Sequence, residues 1–238
     1  EVIEKLPTLK LLSLKKADKI LTISNYAKEL IIKQNISLKS KIVIIKSCVN
    51  DRLYKKKKLK FTKKDLKLNN KKIIITLSRL STFEEKGHDR VLKSLEILQH
   101  KFSDFVYIIV GGGTDNKVTK ILSKNKNLKN KVIFTGAIKD EEKLDYLLLA
   151  DVFILPSKNE GFAIVFLEAL MAGLYVIAPD NYGCPEGLLN GELGILVNVD
   201  RHDLIADAIL SVFLNKVSNH LKDKKTIISK TKHIYGID

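Results

Sequence analysis

The sequence predicts a doubly wound α/β fold, a parallel sheet covered by helices on both faces. Two observations lead there. Short, almost unbroken apolar runs rich in Ile and Val recur along the chain, and stretches with helical spacing of apolar residues fill the gaps between them. Continuous rather than alternating apolar strands mark a sheet buried on both faces. Their regular alternation with helices favours parallel crossover units.

In chain order, residues 19–23 read as a buried strand, 25–33 as a helix and 42–45 as a second strand. A polar stretch follows, with the lysine block Lys55 to Lys58, and residues 49–71 read as a linker. A longer series then begins. Strands are expected at 73–77, 105–110, 132–134, 152–155, 175–178 and 195–197, and helices at 88–101, 117–124, 141–149, 163–172 and 203–214. The division is therefore a strand–helix–strand unit at 1–48, the linker, a large α/β domain at 72–215, and a tail at 216–238.

Composition bounds the function. The chain has 238 residues with 45% hydrophobic content, enough for a real core. No apolar run approaches the roughly 18 residues of a membrane span, and no signal-peptide pattern opens the chain. It begins at Glu1, and its one methionine is Met171, which reads as a fragment or a processed chain. The formal net charge of +15 invites a nucleic-acid reading. Yet there are only four arginines (Arg52, Arg79, Arg90 and Arg201), and the lysines are spread end to end. Arginine forks and stacking aromatics, the usual equipment of nucleic-acid readers, do not cluster anywhere. The expectation is no nucleic-acid partner, and a weak attraction to anionic lipid. Cys48 and Cys184 are isolated, which indicates neither a disulfide framework nor a zinc site and fits a reducing cytoplasm.

In an open parallel sheet ligands bind beyond the carboxyl ends of the strands. Here those ends carry Ser78-Arg79-Leu80 with Glu84-Glu85-Lys86-Gly87-His88, then Gly111-Gly112-Gly113, then Gly136-Ala137-Ile138, then the loop holding Glu160. Glu160 precedes a helix start, and Glu168 lies about one and a half turns inside that helix, with the helix's free amides between them. This arrangement suits a ligand bearing both an anionic group and hydroxyls, such as a sugar nucleotide. Arg79 and Lys86, seven residues apart near a helix start, make a natural diphosphate clamp, although ordinary surface cations would explain the pair taken alone. The glycine run lacks the full G-x-G-x-x-G spacing and is weak as a dinucleotide signal. Glu168 sits in a helix that is apolar almost all round, so a partly buried carboxylate is expected there. It needs donors, either a ribose diol or an internal lysine.

Together these residues resemble the retaining glycosyltransferases of family 4 (glycosyltransferase group 1), which have the GT-B fold. The resemblance rests on Ala17-Asp18 with residues 20–24, Arg79 with Lys86-Gly87, the Gly111 turn, and Val132-Ile133-Phe134-Thr135-Gly136. It continues through Ala150-Asp151, Leu155-Pro156-Ser157, Glu160-Gly161-Phe162 to Glu168-Ala169-Leu170, Ala172-Gly173, Val176-Ile177-Ala178 and residues 190–197. It implies a Rossmann-like, C-terminal half of a GT-B enzyme with a remnant of the N-terminal acceptor domain. Arg79 and Lys86 would hold the donor diphosphate, Glu160 the sugar hydroxyls and Glu168 the ribose. Gly161 and the amides of Phe162, Ala163 and Ile164 would bind phosphate or sugar oxygens, and Gly111, Gly112, Ala137 and Ile138 would line the nucleoside. No metal is implied, the cationic pair and helix start taking its place, and the chain has no Asp-x-Asp pair. The expected donor is a UDP-, GDP- or ADP-linked sugar. The expected acceptor is a glycan or lipid-linked acceptor in cell-surface polysaccharide or glycolipid synthesis, at the cytoplasmic, peripheral face of the membrane. A truncated, non-catalytic nucleotide-sugar binder or regulatory subunit is the alternative. Two departures stand out: Tyr175 where the family has proline, and Ala163 where glycine is common. The helices after residue 214 also read as shortened.

Overall fold

The structure is a computed structural model that describes residues 8–50, 54, 59–81 and 86–237. Arg52, the lysine block Lys55–Lys58 and Glu84–Glu85 lie outside the described residues.

Helix α1 (Thr8–Lys16) leads into β1 (Ile20–Thr22), α2 (Asn25–Gln34) and β2 (Ile42–Ile44). The two strands pair in parallel as a small separate sheet, with Ile20 opposite Ile42. Ser24 starts α2 as its N-cap, accepting from the Ala27 amide. The segment expected to be a linker lies against the large domain. Leu68 is buried there, the Phe61 ring packs edge-on to Tyr146 at 4.8 Å, and Lys63 pairs with Asp151 at 3.2 Å.

The large domain is built on β3 (Lys72–Leu77), the short β4 (Leu80–Ser81), α3 (His88–Leu98), β5 (Phe105–Val110) and the short β6 (Gly113–Thr114). Next come α4 (Asn116–Lys124), α5 (Lys126–Lys129), β7 (Val132–Gly136), α6 (Lys143–Leu149) and β8 (Val152–Ile154). Then follow α7 (Ile164–Met171), β9 (Tyr175–Pro179), α8 (Cys184–Gly187), β10 (Ile195–Val197) and α9 (His202–Phe213). Six strands form one parallel sheet in the order β10-β9-β8-β3-β5-β7. Every described residue of β5 and β8 is buried, and Ile73, Ile74 and Ile75 of β3 are fully so. These are the unbroken apolar runs of the sequence, packed under helices on both faces.

Strand order reverses beside β3, which pairs with β5 on one side and β8 on the other. That is the topological switch point, where crossovers leave to opposite faces and open a crevice beyond the strand ends. The opposite end of the same strand pair is closed by Asp151. Its carboxylate accepts from the Ile73 amide at 2.8 Å and lies 3.2 Å from Lys63 and 3.6 Å from Lys72.

The 216–238 stretch, expected to be a tail, is helical: α10 (Asn219–Lys222) and α11 (Lys224–Tyr235). Helix α11 packs on α7, burying Ile227, Thr231 and Tyr235 along one stripe. Beyond it, Gly236 bridges in parallel to Val49, whose amide donates to the Tyr235 carbonyl at 2.7 Å.

Candidate functional site

The crevice at the switch point holds a cavity of about 340 Å³, lined by Ser78, Gly111, Gly112, Ala137, Ile138, Lys143, Val165 and Glu168 with Leu77 and Val110. Gly111 keeps its floor thin. It sits at φ +146°, and a Cβ there would stand 2.1 Å from the Ser78 carbonyl oxygen. Only glycine lets the β5 and β3 ends approach so closely. Five residues singled out from the sequence, Gly111, Gly112, Ala137, Ile138 and Glu168, thus share one wall.

Glu168 is the fifth residue of α7 and is mostly buried, with its side chain 23% exposed. Burial pushes its carboxyl above the usual carboxylate range. Lys143 opposes the shift, and Asp140 adds to it. The Lys143 Nζ stands 3.7 Å from the Glu168 carboxylate and 3.0 Å from Asp140. Glu168 is therefore held at ion-pair distance by a lysine that also serves another acid. Lys143 is burdened by burial, yet its hydrogen bond to Asp140 and the charge of Glu168 hold its ammonium above the ordinary range.

The other predicted residues lie on the neighbouring loops. Lys86 donates to Glu160 at 2.9 Å, both side chains being less than a third exposed. This closeness depends on Gly87, at φ +80°, where a Cβ would meet the Pro156 carbonyl oxygen at 2.2 Å. Glycine here lets the start of α3 rest on the loop that leaves β8. The Glu160 carbonyl is in turn held by the Gly183 amide at 2.9 Å. Arg79 follows the end of β3 on the exposed side. Glu160 and Glu168 thus answer to different lysines.

Helix α7 starts at Ile164 with Ala163 as N-cap in the left-handed region, at φ 61° and ψ 79°, and no side chain caps it. Within this first turn the Phe166 amide donates to the Ala163 carbonyl at 3.0 Å, while the amides ahead of it have no carbonyl four residues back inside the helix. The Phe162 ring is buried, 5.8 Å from the Tyr235 ring and edge to face with it. Ile164 is half exposed.

The comparisons with known proteins bear on this geometry. The signature described as "Glycosyl transferases group 1" matches residues 57–233. The chain belongs to the glycosyl transferases group 1 family. Among curated relatives, a "GDP-mannose-dependent alpha-(1-6)-phosphatidylinositol monomannoside mannosyltransferase" of Mycobacterium tuberculosis is 30% identical over 161 residues, covering 65% of this chain and 41% of the relative. A "2-deoxystreptamine N-acetyl-D-glucosaminyltransferase" of Niallia circulans is 30% identical over 166 residues, covering 68% and 42%. The chain spans about two fifths of the length of these relatives. Among solved structures, Anabaena Alr3699/HepE in complex with UDP and glucose superposes with a TM-score of 0.83 at 19% identity, over 97% of this chain and 64% of that one. A glycosyltransferase from Rickettsia africae gives 0.81 at 21% identity, over 98% and 64%. These likenesses establish for this group 1 chain a Rossmann-like domain of the GT-B architecture.

Lys143 was not singled out from the sequence. It is the first residue of α6 and ends an ordinary run of charged residues, and no spacing marks it as the lysine beside Glu168. Ser78 was legible only as the end of a strand. Its place on the cavity wall follows from the sheet order.

Proposed function

We propose that this chain is the donor-binding half of a glycosyltransferase that transfers a hexosyl unit, with retention of configuration, from a nucleotide-diphosphate sugar. The observation that carries the reading is Glu168, a mostly buried carboxylate held above its ordinary range by burial, on the wall of a 340 Å³ cavity at the switch point. A buried acid with one lysine at 3.7 Å has acceptor capacity to spare, and a ribose diol supplies two donors. The glycine turn and the Ala137-Ile138 loop form a flat, side-chain-poor wall suited to a base and ribose. The α7 amides, Lys86 and Arg79 lie beside it for the diphosphate.

In this reading Lys86 is pre-positioned by Glu160 and shifts part of its hydrogen bonding to the diphosphate, stabilising its charge as the glycosidic bond breaks. Glu160 turns to the sugar hydroxyls. The charge comes from these cations and the helix start, so the reading requires no metal. Transfer itself needs an opposing domain to close the cleft and exclude water. On this chain alone, donor binding outlasts transfer. The acceptor is a glycan or lipid-linked molecule of cell-surface polysaccharide or glycolipid synthesis, in keeping with the phosphatidylinositol monomannoside in the mycobacterial relative's name. The enzyme works at the cytoplasmic face of the membrane, with its lysine excess drawn to anionic lipid.

Titration calorimetry with UDP, GDP and ADP tests the reading. One of the three should bind, and Glu168→Ala should weaken it about tenfold or more. Properly folded protein that binds none of them sinks it.

A further inference from the structure

A chain of hydrogen bonds, part-buried at its first link and buried beyond it, runs from the cavity wall into the centre of the sheet. Ser78 Oγ lies 2.9 Å from His88 Nε2, and His88 Nδ1 lies 3.2 Å from the Tyr107 hydroxyl. Tyr107 donates to Thr76 Oγ1 at 2.9 Å, and Thr76 donates to the Ile154 carbonyl at 2.5 Å. Thr76 and Ser78 are two residues apart around the end of β3 and share a face, towards the start of α3. Tyr107 reaches them from β5, and Ile154 ends β8. The chain therefore crosses the three strands that make the switch point.

Its direction is fixed from the far end. The Ile154 carbonyl only accepts, so Thr76 spends its hydroxyl proton there. Tyr107 must then give its own proton to Thr76, and burial pushes that phenol well above its ordinary range, so the proton stays on. The Tyr107 oxygen is left to accept, which requires a proton on His88 Nδ1. Burial also lowers the His88 imidazolium; a hydrogen bond to the Arg79 backbone and the charges of Asp115 and Asp89 favour the charged form, and the charge of Lys86 opposes it. In the neutral ring Nε2 carries no proton and accepts from the Ser78 hydroxyl.

We propose that Ser78 is a ligand-reading residue whose hydroxyl is locked by His88 as a hydrogen-bond acceptor towards the cavity. With its proton committed to His88 Nε2, Ser78 Oγ faces the ligand with lone pairs alone. It takes a donor, a ribose hydroxyl or a base N–H, and repels a phosphate oxygen. This places the nucleoside over Ser78 and Glu168 and leaves the diphosphate to Lys86 and the α7 amides. His88 and Tyr107 are positioning residues. The inference rests on the donor-site reading above.

The test is a double-mutant cycle on affinity for whichever of UDP, GDP and ADP binds the wild-type chain. Tyr107→Phe removes the acceptor for Nδ1–H, frees the other tautomer and lets Nε2 donate to Ser78. It should weaken binding about threefold to tenfold. Ser78→Ala should weaken it similarly, and Tyr107→Phe should then have no further effect. Equal losses from Tyr107→Phe in both backgrounds would mean that it acts through packing and would overturn the inference while leaving the donor site standing. Absence of binding by the folded wild-type chain would remove both. Nitrogen-15 NMR of the wild-type imidazoles gives a readout that needs no variant: His88 should be the Nδ1–H tautomer, and an Nε2–H signature would overturn the inference.

Discussion

Glu168 is placed against the stability of its own fold. Its carboxyl is raised in the folded state because burial penalises the charged form. A carboxyl raised on folding contributes stability that is fully present below its unfolded value of about 4.3 and is lost as pH rises through the folded value. At neutral pH the ionised group therefore weighs against folding. Glu168→Gln should raise Tm at pH 7 and lose that advantage below about pH 4. Each 1 kcal/mol gained corresponds to about 2–4 °C for a chain of this size. The same variant should weaken nucleoside diphosphate binding, because an amide is a poorer acceptor for a diol. Thermal melts at pH 7 and pH 4, paired with calorimetry, check both signs. Lys86→Ala works differently, since it removes a hydrogen bond to Glu160 that both partners make largely out of solvent. It should cost stability and donor affinity together, the latter by about 10-fold to 100-fold, read by the same two methods.

At the scale of elements, the turn into α7 carries backbone strain. Ala163 holds φ 61° and ψ 79°, a left-handed conformation that an L residue with a Cβ adopts at a cost of about 1 kcal/mol. Ala163→Gly should raise Tm by about 2–4 °C while leaving the start of α7 and the Glu160 loop where they are, as checked by calorimetric melting and unchanged nucleotide affinity. This position was visible in the sequence as a departure from the family's glycine. The six strands of the large sheet and their helices were equally visible, because strands such as 73–77 are buried on both faces and show it in every residue. What escaped was structure with no such pattern. Strands β4 and β6 are two residues each and pair because the Gly113 backbone passes Leu80 closely, which no periodicity records. Helix α11 buries Ile227, Thr231 and Tyr235 four apart, a narrow stripe hidden among lysines. Within the site, the wall residues Gly111 and Ala137 were legible because each follows a strand end, and Glu168 because it is an acid in an otherwise apolar helix. Lys143, and the relay through His88 and Tyr107, required the three-dimensional meeting of segments far apart in sequence.

At the scale of the whole molecule, one carboxylate ties the N-terminal unit to the large domain through several hydrogen bonds. Glu186 of α8 accepts from the Asn25 amide at 2.8 and 3.0 Å, from the Asn25 side chain at 2.8 Å and from the Tyr26 amide at 3.3 Å. These are the first amides of α2, where no backbone partner exists and the helix dipole favours an anion. Ser24 takes the next amide, and Tyr26 meets Tyr182 edge-on at 6.2 Å. The same α8 segment is tied to the donor side: the Gly183 amide holds the Glu160 carbonyl, and the Tyr235 hydroxyl donates to the Glu186 carbonyl at 3.2 Å. Thus the helix that anchors the N-terminal unit also braces the loop carrying Glu160. Glu186→Ala should destabilise the α2 contact by about 1–2 kcal/mol, the usual cost of losing a capping acceptor with a favourable dipole interaction. Because the large domain has its own six-stranded core, the loss should be local. Hydrogen exchange should quicken about tenfold across residues 20–44 while β3, β5 and β8 keep their protection. Uniform loss across both units would mean that they fold as one cooperative body and that Glu186 is only one of many contacts holding it together.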